Sequence, residues 1–328
     1  MKTMVSPLSE IYSTMINKAT LNSTLGAYFH PQDMSKVIYL NGSPTTPFLK
    51  RLQNGGKVNG SPHYWNKISL ASVTGTSSYF VEGDAPTTSY STPTPYSNTI
   101  FQLGKAAQIT DKEAALYANP GGFQLADGER MRWFRESMAL QMELRTRETI
   151  QEMDYIFING VKETTIPASS GVADVQCDGL LEFIATNTDD CSAVAIDDSL
   201  LIDLAKAIHD QYSGRFPDVL YVTSAQKKVI NTWATNIWFT RDRNLEAGKD
   251  VSTFNTGYGI LPIEVEPYMP SGSCAMVDMG MFKKMDLIPL TAEGLARTDT
   301  SVKRMITYYG TLECGNDISS GKLTNLSA

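Results

Sequence analysis

The residues able to do chemistry are few in this sequence, and their spacing does not assemble a site. His30, His63 and His209 stand apart, and none has a histidine, cysteine or carboxylate placed to complete a metal site. The carboxylate pairs Asp189-Asp190 and Asp197-Asp198 carry acid–base groups, but adjacent side chains do not converge on one reacting atom. Loop and cap roles suit them better, and Asp198 stands where a helix N-cap belongs. Cys177, Cys191, Cys274 and Cys314 lie far apart without a Cys-x-x-Cys pair, which predicts buried free thiols. Phosphate-binding and nucleophile-elbow glycine motifs are missing, and Gly257-Tyr258-Gly259 is a bare turn. Trp233, Trp238 and Phe239 precede Arg241 and Arg243, a grouping able to stack on bases, but an ordinary core or interface cluster is the preferred reading. We therefore expect no catalytic residue, no cofactor and no metal.

The elements that would have to position such residues are those of a mixed α+β protein. At 328 residues with 42% hydrophobic and 19% charged residues, the chain can bury a sizeable core. Charge is uneven: residues 1–60 hold six Lys/Arg against two acids, and the remainder 22 against 33. An acidic body lacks the dense basic face of a protein that wraps DNA sequence-specifically, while a basic beginning suits contact with acidic neighbouring subunits. No run approaches the roughly 18 apolar residues of a membrane span, no signal-peptide pattern opens the chain, and a soluble cytosolic protein is expected.

Residues 1–70 read as an irregular arm, because Asn41-Gly42, Gly55-Gly56 and Ser61-Pro62 interrupt every periodicity. Between Ser72 and Thr99 there is no Lys or Arg, and Tyr79, Phe80, Val81, Tyr90 and Ile100 lend strand character. Such an isolated two-stranded excursion needs a surface to lie on. A capping box, Thr110 with Glu113, predicts a short helix over 111–118. From about Asp127 to Ile158, Met131, Phe134, Met138, Met142, Ile150, Met153 and Phe157 recur at helical steps, and Asn159-Gly160 ends the run. Arg132 with Glu136 and Glu143 with Arg147 line its other face. Further on, helices are predicted over 198–212 and 224–234, and strands over 219–223, 263–266, 274–278 and 302–313.

The order of these parts resembles the major capsid proteins of tailed double-stranded DNA phages with the Hong Kong 97-type fold. The resemblance rests on Thr45-Thr46-Pro47-Phe48, Tyr64-Trp65, Val81-Glu82-Gly83-Asp84-Ala85, Asn98-x-x-Phe101-Gln102 and Gln108-Ile109-Thr110 in the first third. It continues through Ile158-Asn159-Gly160, Asp178-Gly179-Leu180-Leu181, Pro217-Asp218-Val219-Leu220-Tyr221-Val222 and Met269-Pro270-Ser271-Gly272. It ends in Leu295-Ala296-Arg297-Thr298, Lys303 and Thr311-Leu312-Glu313. It spans nearly the whole chain.

The resemblance implies an N-terminal arm over 1–70, an extended loop over 71–109, a peripheral domain over 110–177 with a spine helix at 127–158, an axial domain over 178–285, and a C-terminal return to the peripheral domain over 286–328. It implies self-assembly as hexamers and pentamers into an icosahedral shell in the host cytoplasm. The implied partners are a portal and packaged double-stranded DNA held without sequence-specific contacts, and the sequence leaves open whether a decoration protein binds outside. Two positions depart from the family pattern. No lysine lies between Lys67 and Lys105, so the isopeptide weld used by some relatives is not expected, and denatured particles should run near 36 kDa. Arg297-Thr298-Asp299 lacks the glycine expected after the threonine. Only about seventy residues precede the loop, so an unprocessed subunit built on a separate scaffolding protein is expected. An arm without a core of its own orders only on a neighbour, which makes Phe48, Trp65, Tyr79, Phe80, Val81 and Ile100 the expected inter-subunit contacts. An encapsulin-like nanocompartment shell, an enzyme whose site a single sequence hides, and a free-standing receptor-binding protein are the competing readings.

Overall fold

The structure is a computed structural model describing residues 45–70, 79–86, 90–112, 127–162, 176–211, 215–233, 251–297 and 299–327, with side chains from 138 onward in the long helix. The chain divides into two units, Met1–Ser43 and Pro44–Ala328, and every described residue belongs to the second. Its first element is a short helix, α1 (Pro47–Arg51), opened by a proline where the absent N–H has no partner to lose. Four strands follow: β1 (Gln53–Lys57), β2 (His63–Lys67), β3 (Thr94–Asn98) and β4 (Phe101–Thr110). Asp111 and Lys112 are helical, but the rest of the capped helix lies outside the described residues.

The predicted spine helix is α2 (Asp127–Asn159), 33 residues and about 50 Å long. The Glu143–Arg147 pair forms at 2.7 Å, and the Arg132–Glu136 pair lies outside the described side chains. Two glycines end the helix. Gly160 N–H donates to Ile156 O, and Gly179 N–H to Gly160 O, both at 2.8 Å. A Cβ on Gly179 would sit 2.8 Å from Gly160 N and 2.9 Å from Ile156 O, so only glycine lets these segments approach so closely.

Helix α2 packs on a four-stranded sheet ordered β1-β10-β11-β4, where β10 is Phe282–Gly294 and β11 is Ser301–Cys314. Lys105 on β4 bridges Glu148 at 3.2 Å and Glu152 at 2.6 Å on the helix. Below these ion pairs Phe101 meets Phe157 edge to face, with centroids 5.3 Å apart, and Tyr308 tilts against Phe101 at 5.6 Å. The expected loop range 71–109 thus spans two structures, since 101–110 forms an edge strand of this sheet. Its alternating Phe101, Ala107 and Ile109 are buried under the spine helix.

The second sheet is six-stranded, ordered β5-β12-β9-β6-β8-β7. Its strands are β5 (Thr188–Asp190), β6 (Val219–Val222), β7 (Thr253–Asn255), β8 (Ile260–Val265), β9 (Cys274–Val277) and β12 (Gly321–Thr324). Central strands β6 and β9 are apolar at every position because both of their faces are covered. Val219, Tyr221, Ala275 and Val277 join the core under Phe157 and Phe282. Leu220, Val222, Cys274 and Met276 point the other way, under α4 (Asp198–Gln211) and α5 (Ser224–Trp233). A single turn, α3 (Leu180–Phe183), adds Leu180 to the first core. The expected C-terminal return over 286–328 divides. Strand β11 lies in the four-stranded sheet, whereas β12 pairs with β9 and β5, with Leu323 fully buried in the helix-covered core.

All four cysteines are free and buried. Burial pushes the thiols of Cys177, Cys274 and Cys314 up to about 12, and that of Cys191 upward as well. A thiol reagent at pH 8 is expected to leave the native chain unmodified and to titrate every cysteine in denaturant. Rapid native labelling of Cys274 would contradict the packing of β9.

Candidate inter-subunit surface

The hairpin of β2 and β3 is a projecting element on a bolted base. Its ladder pairs His63 with Asn98 and runs to Lys67 opposite Thr94, so it begins ahead of the loop boundary expected at 71. Trp65 Nε1–H donates to Cys314 O at 2.9 Å and its ring meets Phe183 edge-on at 6.1 Å. His63 Nε2 lies 2.8 Å from Glu313 Oε2. Lys67 Nζ reaches Asp317 at 3.2 Å and covers the Tyr96 ring at 4.2 Å. Burial works against ionisation of Asp317, but hydrogen bonding from Thr186 and the Lys67 ammonium outweigh it and hold the carboxyl below its usual range.

Beneath these contacts Asn98 is fully buried and acts as a staple. Its Nδ2 donates to Leu312 O at 2.8 Å and Asp178 O at 3.1 Å, and its Oδ1 accepts Asp178 N–H at 2.9 Å. Thr99 Oγ1 donates to Gln176 O at 2.6 Å, and Lys162 Nζ to Ser97 O at 2.9 Å. Each bond satisfies a polar group that burial would otherwise penalise. The base of the hairpin is thereby fixed to β11 and to the segment following the spine helix.

Beyond the ladder no described residue covers the apolar side chains. Tyr79 is 84% exposed, Phe80 60%, Val81 75% and Tyr90 87%. Val81 O accepts Asp84 N–H at 3.0 Å around Gly83, whose φ of +92° belongs to glycine. The loop thus presents an apolar tip with a local turn of its own.

The remaining expected contacts are differently placed. Phe48 is fully buried in this chain's own core, its ring edge-on to Tyr221 at 5.8 Å. Ile100 is buried beside Val58 and Met285. Trp65 is half-buried against Phe183 and β11. Within the chain, partners far along the sequence cover Phe48 and Ile100, and Trp65 anchors the hairpin base.

The groups considered for chemistry do not converge. His63 binds Glu313, whereas His209 stacks near Tyr258 at 5.0 Å. Asp190 accepts from Ser192 N–H and Asn325, turning the chain after β5. The carboxylate ahead of α4 that takes Asp198 N–H and the Ser199 hydroxyl is Asp197, so the cap falls one residue before the expected Asp198. Trp233 packs on Phe254 at 6.1 Å, while Trp238, Phe239, Arg241, Arg243 and His30 lie outside the described residues. Among the described residues no three ligating side chains gather to hold a metal, and no helix is long and apolar enough to cross a membrane.

Three comparisons bear on this arrangement. The capsid of a native GTA particle superposes with a TM-score of 0.62 at 11% identity, covering 95% of this chain and all of that one. The capsid of Gordonia phage Cozz gives 0.58 at 11% identity, over 92% and 93% of the two chains. The SrpI encapsulin of Synechococcus elongatus PCC 7942 gives 0.55 at 13% identity, over 93% and 96%. No curated protein sequence matches the chain. The likenesses establish the Hong Kong 97-type fold, and the family is given by sequence: the SU10 major capsid protein model matches residues 13–327. This chain, a shell-forming capsid protein, belongs to the SU10 major capsid protein family.

Proposed function

We propose that the protein assembles as hexamers and pentamers into an icosahedral shell around a double-stranded DNA genome, built in the host cytoplasm with a separate scaffolding protein and a portal. In this reading the residues ahead of α1 reach along a neighbour, the hairpin lies over an adjacent subunit, and the axial domain closes the capsomer centre. The observation that carries it is the exposed Tyr79, Phe80 and Val81 tip on a hairpin anchored by Trp65 and Asn98. A shell subunit needs several modest contact faces, and extended elements supply them while adding little core of their own. The acidic body suits a wall that packs DNA without gripping it, and a decoration protein would bind outside.

Purified protein, alone or with its scaffolding protein, is expected to form megadalton particles on size-exclusion chromatography and closed shells in electron micrographs. Boiling in detergent should return a band of about 36 kDa, because no lysine lies between Lys67 and Lys105 to form a covalent weld. A small oligomer under every condition would overturn the reading. Shells isolated with a protein cargo and no nucleic acid would assign the chain to the encapsulin-like branch instead.

A further inference from the structure

Two carboxyl groups that the shell contacts do not use meet at the start of α1. Asp154, on the spine helix, is fully buried, and Glu266, just beyond β8, is 2% exposed. Asp154 Oδ1 accepts Leu49 N–H at 2.9 Å and Glu266 Oε2 accepts Phe48 N–H at 3.1 Å. Successive N–H groups of one short segment thus hold two acids from different elements side by side. Glu266 uses its other oxygen to accept Tyr268 N–H at 3.4 Å, so both of its oxygens act as acceptors. Asp154 Oδ2 has no donor directed at it and is sealed from solvent. Two carboxylates cannot bond to each other; a carboxylic acid and a carboxylate can, and Oδ2 is the free position for the hydrogen.

We propose that Asp154 and Glu266 share one proton as a latch: with it, α1 is held between the spine helix and the six-stranded sheet, and its loss to solvent base releases residues 46–52. The latch sets how firmly residues 46–52 are held against the spine helix and the six-stranded sheet.

The surroundings favour this state. Burial, and then the negative charge of Glu266, raise the Asp154 carboxyl to about 8, and burial raises Glu266 as well. Charged and titratable groups facing the pair include Lys50 on α1, Glu264 on β8, Tyr221 on β6 and Tyr268 after β8, with Arg51 beside Tyr221 and Glu152 beside Tyr268 beyond them. Arg51 is engaged by Glu264 at 2.6 Å and Glu152 by Lys105, and among the described residues exposed Lys50 is a cation able to oppose a second negative charge. The sign follows from the raised value. A released Asp154 titrates near 4, so attachment is strongest at or below that pH, weakens as pH climbs, and levels off above about 8.

The test is amide exchange of residues 48–52 in the full chain against pH, each rate divided by that of Asp154→Asn at the same pH. The asparagine keeps an acceptor for Leu49 and donates permanently to Glu266. The ratio is expected to rise by up to about tenfold per pH unit between pH 5 and 8 and then flatten; a flat ratio overturns the latch. If Asp154→Asn does not fold, exchange of 48–52 relative to strand Val219–Val222 in the wild type carries the same test. Glu266→Gln should move the levelling-off below pH 8. An unchanged levelling-off would assign the titration to burial of Asp154 alone and overturn the shared proton. These outcomes are read on the unassembled chain and stand independently of shell formation.

Discussion

Replacing Phe80 by serine is expected to abolish particles while leaving a folded, soluble subunit. Within the chain the ring is 60% exposed, so its removal falls in the class of surface changes that alter stability by about 0.5 kcal/mol or less. Within a shell the same ring, once covered, stabilises its contact by about 1.5–3 kcal/mol. Loss of about 2 kcal/mol weakens one contact roughly thirtyfold, and every copy in a closed shell carries the loss. Sedimentation and electron microscopy should find capsomers or subunits in place of shells, with an unchanged circular dichroism spectrum. Normal shells would remove Phe80 from the contact, and an unfolded subunit would show that its own chain needs it.

The contrast between Phe80 and Phe48 shows what a single sequence can say about such anchors. Both are aromatic residues in stretches without helical or strand periodicity, and local reading treats them alike. What separates them is partners far along the chain: Tyr221, Glu266 and Asp154 enclose the Phe48 segment, and nothing described encloses Phe80. Elements defined by their own periodicity were legible. The spine helix, α4, α5, β6, β9 and β11 fall within a residue or two of the predicted ranges, because each carries its apolar pattern within itself.

Strands β1 and β10 were missed for the opposite reason. Gln53–Lys57 contains no apolar residue and is a strand only because it adds to the edge of β10. In β10 charged residues and Pro289 break the alternation, and its register with β11 slips on both sides of Ile288. A proline cannot donate to the ladder, so the irregularity is the structural form of the feature that hid the strand. The Asp154–Glu266 pair left a fainter trace. Asp154 falls in the same helical stripe as Ile150, Phe157 and Ile158, and an acid inside an apolar stripe signals a partner without naming it.

Truncating Phe157 to alanine is expected to cost the subunit about 3–5 kcal/mol, a large share of the roughly 5–15 kcal/mol that stabilises a typical domain. Phe157 is fully buried at the point where the spine helix, β4 and β11 converge, edge-on to Phe101. Its neighbours are poorly able to collapse into the space. Phe101 is held by the β4–β11 ladder, Tyr308 donates its hydroxyl to Asp286 at 2.6 Å, and the helix end beyond is fixed by the Gly160–Gly179 contact. The cavity should therefore persist and contribute its full penalty. Assembly would mask the effect, since anything that binds only the folded subunit raises its apparent stability. The measurement belongs in a Phe80→Ser background, by urea unfolding of the unassembled chain. A lower midpoint with an unchanged slope is the expected result. A loss below about 1 kcal/mol would mean that the spine helix and the four-stranded sheet do not share one core, and that the bolted hairpin base, which hangs from β11, lacks a rigid support.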